Sequence, residues 1–75
     1  MNTLERWAEI EETEKVLTRL LGKLFLNYPS TLDQLENELQ EFFYLLEILP
    51  EDHNCRVEIP KCIIAAIVMK KQMKT

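Results

Sequence analysis

Leu32, Leu35, Leu39, Phe42, Leu46 and Leu49 recur at spacings of 3, 4, 3, 4 and 3 residues. An apolar stripe with this period is the mark of an amphipathic helix facing a neighbour. The pattern predicts a helix opened by Ser30 with Asp33, or by Thr31 with Gln34, as a capping box, and stopped at Pro50. Phe43, Tyr44, Leu45 and Ile48 are also apolar or aromatic, so the second half of this helix is apolar on more than one side, and one neighbour cannot cover it.

A first helix precedes it. Trp7, Ile10, Leu17, Leu21, Leu24 and Tyr28 follow a heptad stripe in which Glu14 occupies the missing rung, and Val16, Leu20 and Phe25 widen it. Asn2 with Glu5 predicts its start. Asn27, Tyr28, Pro29 and Ser30 predict the break, because Pro29 disfavours helical backbone at Tyr28. Trp7, at heptad spacing from Ile10, is expected in the core, as is Phe42.

Cys62 to Met69 forms a run of eight apolar residues flanked by Lys61, Lys70 and Lys71. We read it as a third helix with Pro60 in its first turn, where the missing amide costs nothing. Lys70, Lys71 and Lys74 then lie at the carbonyl end favoured by cations. The β-branched residues also permit a buried strand, but Ala65, Ala66 and the methionines favour helix. PEDHNCRVE, residues 50 to 58, reads as the connector. Ile59, Ile63, Ala66, Ile67 and the stem of Lys70 are the expected docking side. The prediction is an all-α fold of three helices, a helical hairpin plus a C-terminal apolar helix, in a single domain over residues 1 to 75, completed as a bundle by another chain.

Length explains why another chain is invoked. A chain of 75 residues buries only about 60% of its unfolded surface, and such folds recruit a disulfide, a metal or a partner. With Ile64, Val68 and Met69 uncovered on helix three, and Phe43, Tyr44 and Ile48 on helix two, these six are the expected partner-binding residues. The expected partner is another protein, a second copy being the simplest case. The expected role is that of an adaptor, inhibitor or chaperone-like protein.

Charge and composition narrow the classes. The net charge is −4, with the acids concentrated before residue 53 and the bases after it. An acidic body is a poor match for phosphates. The alternative is a small dimeric regulator touching nucleic acid through Arg56, Lys61, Lys70, Lys71 and Lys74. The apolar run is too short to span a bilayer, and its lysines sit at the ends rather than along one face, so membrane binding is not expected. The first residues lack the basic-then-apolar pattern of a secretory signal, so a cytoplasmic location is expected.

Candidate chemistry is sparse. His53, Cys55 and Cys62, with Asp52 beside them, have metal-ligand side chains, but the second ligand pair of a zinc site is absent. A Cys55–Cys62 disulfide needs an oxidising compartment. The plainer reading is a loop cysteine at 55 and a small buried one at 62. His53 is the only histidine, and no nucleophile is recognisably placed beside it. No catalytic, cofactor or metal residue is assigned, and the chain is not expected to be an enzyme.

Overall fold

The computed structural model describes residues 3 to 73. It is all-α: α1 (Thr3–Leu26), α2 (Leu32–Ile48) and α3 (Cys55–Met73) run up, down and up, with no strand among the described residues. Asn2, the expected first cap, lies outside them.

α2 begins as one of the two expected boxes. The Thr31 side chain accepts from the Gln34 amide at 3.1 Å. The Gln34 Oε1 reaches back, though to the Ser30 amide rather than that of Thr31, at 3.2 Å. Two otherwise orphaned donors are thereby satisfied. At the other end α2 has no basic residue in its last turn, and its carbonyls are capped from outside. Arg56 Nη1 donates to the Leu46 and Leu49 carbonyls at 3.0 and 3.1 Å. Arg6 Nη2 donates to the Ile48 carbonyl at 2.8 Å and also pairs with Glu9. The negative end of the α2 dipole therefore meets one guanidinium from each neighbouring helix.

α3 starts earlier than the sequence reading placed it. A turn in which the His53 amide donates to the Pro50 carbonyl at 3.0 Å leads to Asn54, whose carbonyl accepts from the Glu58 amide at 2.9 Å. Helix is under way by Cys55 because His53 Nδ1 accepts the Cys55 amide at 3.0 Å, a side-chain cap that no propensity scale anticipates. Pro60 thus lies inside the helix rather than opening it, and Cys55 is helical, not in a loop.

The core contains Leu17 and Leu24 of α1, Phe42, Leu46 and Leu49 on and after α2, and Ile59, Ile63 and Ala66 of α3, with Ile67 packed alongside. Full burial of such a side chain contributes roughly 1.5–3 kcal/mol. Thr13, the one buried polar residue among those described, donates its hydroxyl to the Glu9 carbonyl at 2.8 Å. Lys70 lies with its Nζ 5.7 Å from the Tyr28 ring centroid, within cation–π range.

The molecule is long for its size. Its radius of gyration is 13.8 Å, against about 11 Å for a compact chain of this length. The long axis is 51 Å, whereas a helix of α1's length spans about 36 Å, so the helices are staggered. α3 begins opposite Glu14 and runs past Tyr28.

Two core assignments are corrected by the structure, the first of them by that stagger. Trp7 is 66% exposed, because it sits one heptad before Glu14, on the same flank of α1, where α3 has not yet begun. Leu32 is 81% exposed despite its place in the stripe. A straight helix drifts about 20° per heptad against a seven-residue repeat, and Leu32 stands two heptads before the buried Leu46.

Candidate functional site

α1 packs against both other helices, while direct contact between α2 and α3 is slight. The side of the molecule away from α1 is therefore an open seam. At one end a shallow groove of about 390 Å³ is lined by Phe43, Leu46, Glu47, Arg56 and Pro60. At the other, a groove of about 370 Å³ is bounded by Leu32 and Leu35 on α2 and by Ile67, Lys70 and Lys71 on α3.

Helix periodicity determines which residues line this seam. On α2, Leu32, Glu36, Phe43 and Glu47 form one row at i, i+4, i+11 and i+15. On α3, Pro60, Ile64, Ile67 and Lys71 form the facing row at i, i+4, i+7 and i+11, and Val57, Lys61 and Val68 border it. Phe43 is 52% and Ile64 62% exposed, and Leu32, Val57 and Val68 are exposed as well. Five large apolar side chains thus share one open face. The charged members are sorted by helix: acids on the α2 wall, lysines on the α3 wall.

The six residues expected to bind a partner do not form one surface. Phe43, Ile64 and Val68 lie on or beside the seam. Tyr44 is exposed and, one residue round from Phe43 as Lys61 is from Pro60, borders the seam. Ile48 is half-buried. Met69 is exposed beside Phe25 and Met73 in the α1–α3 crevice. Leu32, Val57 and Pro60 were missed because Leu32 reads as core and the other two read as connector or helix opening. The i, i+7, i+11 apolar spacing of 57, 64 and 68 was the available signal.

Of the bases proposed to meet nucleic acid, Arg56 is engaged with the α2 carbonyls and Lys70 lies over Tyr28. Lys74 is outside the described residues. Lys61 and Lys71 remain exposed. No helix of the described residues is long and apolar enough to cross a membrane.

A second, polar cluster joins α1 to the start of α3. Glu14, His53 and Cys55 bring one ligand-type atom each within 4.8 Å of one another. Glu14 is the addition that sequence reading did not make, and its signal was the broken rung of the α1 stripe. His53 Nε2 stands 3.2 Å from Glu14 Oε2. Since Nδ1 accepts the Cys55 amide, the ring proton belongs on Nε2, pointing at the carboxylate. Burial first, and the Glu14 charge second, push the Cys55 thiol above its ordinary range.

Three such side chains with an open fourth position are a zinc-type donor set. A ligating histidine, however, donates its other N–H to an acceptor. Here, a metal on Nε2 would move the proton to Nδ1 and aim it at the Cys55 N–H, donor against donor. The cluster as built is a hydrogen-bonded joint, and the chemistry it performs is to start α3 and tie it to α1. Cys55 and Cys62 are free, and seven residues apart on one helix they are separated by about 10.5 Å of rise, beyond disulfide reach.

A cleft of about 520 Å³ at the α1–α2 turn is lined by Lys23, Asn27, Tyr28, Pro29, Ser30, Gln34, Asn37 and Glu38. It contains no histidine or cysteine, and the Ser30 hydroxyl is bonded to Gln34. Comparison with protein-family models, with characterised proteins and with solved structures finds no match to this chain.

Proposed function

We propose that this chain is a small, non-enzymatic interaction module that holds another polypeptide in the seam between α2 and α3, completing its helical bundle. The observation that carries the reading is the open row of Leu32, Phe43, Val57, Ile64 and Val68 opposite α1. A helix laid there would be gripped by apolar side chains from two walls, the helix-in-groove mode of peptide recognition. Exposed apolar patches of this kind mark association surfaces more often than idle ones. The acidic and basic walls would orient the occupant and exclude mismatched ones.

Site-specific photocrosslinking in the producing cell tests this. A photoreactive phenylalanine at position 43 or 64 is expected to form a discrete polypeptide adduct, and one at Glu12, on the far side of α1, is not. Adduct formation that is equal at all three positions, or absent at 43 and 64, would sink the reading. Ile64→Asp should abolish the adduct from position 43 while leaving the helical circular dichroism intact, whereas Leu46→Asp, buried in the core, should unfold the chain.

A further inference from the structure

We infer that the occupant of the α2–α3 seam is a second copy of this chain, related by a twofold axis parallel to the helices. This rests on the seam being the binding surface. It goes further by naming the partner and the arrangement.

Three observations converge. First, the two walls of the seam carry opposite charge. Glu36 and Glu47 alternate with Leu32 and Phe43 on α2, while Lys61 and Lys71 alternate with Val57, Ile64 and Val68 on α3. Second, the walls are antiparallel. The α2 end is capped by Arg56 at the α3 start, and the α2 start shares a groove with Ile67 and Lys71 at the α3 end. Third, the acids and bases lie at matching heights, since Phe43 and Glu47 border the same groove as Arg56 and Pro60.

A twofold axis running along the seam exchanges the walls without changing their height. α2 then faces α3 of the partner subunit, antiparallel, with Glu47 level with the partner's Lys61 region and Glu36 level with the partner's Lys71. The apolar rows meet between them. A twofold axis perpendicular to the seam would instead set α2 against α2 and α3 against α3, acid on acid and lysine on lysine, which is penalised. The charge pattern therefore selects a partner whose own pattern is its complement, and this chain supplies one. An isologous contact of this type closes on itself and stops at two copies.

The test uses sedimentation velocity on the full chain and two charge-reversed variants, Glu36→Lys/Glu47→Lys and Lys61→Glu/Lys71→Glu. All four positions are solvent-facing, and circular dichroism verifies each fold. The wild type is expected to dimerise within a concentration range of about 1–300 μM. Each variant alone is expected to weaken dimerisation by about tenfold or more. An equimolar mixture of the two is expected to restore a dimer, because the reversed walls again complement each other.

A wild type that stays monomeric across the range overturns the inference, and so does a dimer indifferent to both reversals. So does a mixture that fails to recover when each variant is weakened. The fate of the interaction reading is separate. A monomeric wild type that still gives a crosslink at position 43 to a different polypeptide removes the self-pairing and keeps the module. The absence of any crosslink removes both.

Discussion

His53 Nε2 stands 3.2 Å from Glu14 Oε2, so the one acid that interrupts the apolar stripe of α1 meets the one histidine of the chain. The contact ties α1 to the connector that opens α3. Because His53 also accepts the Cys55 amide, a single ring both anchors the connector and begins α3.

His53→Ala is expected to cost about 1–2 kcal/mol, the loss of a helix cap together with a hydrogen bond to a carboxylate. Glu14→Ala should cost less, about 0.5–1 kcal/mol, since that carboxylate is 44% exposed and solvent screens the contact. Urea unfolding of both single variants and the double variant gives the coupling. If the two losses are equal, the cap on Cys55 contributes nothing and the assigned tautomer is wrong.

The Cys55 thiol, raised above its ordinary 9.0 by burial and then by Glu14, keeps its proton longer in the folded chain than in the unfolded one. Its stabilising contribution is therefore full below pH 9.0 and is lost as pH rises through the higher folded value. Alkylation of Cys55 just below pH 9 should be slower in the folded chain than in urea. Glu14→Gln, which keeps an acceptor for His53 but removes the charge, should speed it. Peptide mass spectrometry separates Cys55 from Cys62. An unchanged Cys55 rate in Glu14→Gln would mean that the carboxylate does not act on the thiol.

Arg56→Leu removes two charge-assisted bonds from the last carbonyls of α2 and is expected to cost about 1.5–3 kcal/mol. Arg6→Leu, whose side chain is 38% exposed and caps one carbonyl, should cost nearer 0.5–1 kcal/mol. Lys71→Leu, exposed on the seam wall of α3, should leave the urea midpoint of protein diluted below the dimerisation range almost unmoved. A loss at Arg56 no larger than at Lys71 would show that water caps α2 equally well.

Much of the fold was legible because helix periodicity is a local property. The stripe through Leu35, Leu39, Phe42 and Leu46, the Thr31–Gln34 box and the docking residues Ile59, Ile63, Ala66 and Ile67 follow from spacings of three and four. The start of α3 was not legible. It depends on a histidine ring accepting an amide two residues on, and PEDHNCRVE has no propensity signal for helix. Trp7 and Leu32 were misread for two reasons: a heptad pattern does not say whether a neighbour is present at a given height, and a straight helix drifts out of a seven-residue repeat. Within the partner-binding set, the same one-dimensional pattern could not separate Met69, in the α1–α3 crevice, and the half-buried Ile48 from the residues beside the seam.

By itself, then, the sequence determined the number of helices, their inward stripes, the thin core of a short chain and the separation of acid from base, because each depends on neighbours within a few residues along the chain. Only the tertiary structure decided the stagger of the helices, the gap between α2 and α3, the pairing of Glu14 with His53 and the use of Arg6 and Arg56 as caps. These depend on the relative height and rotation of elements far apart in sequence. A shift of one residue along a helix turns a side chain by about 100°, enough to move a leucine from the core to the surface.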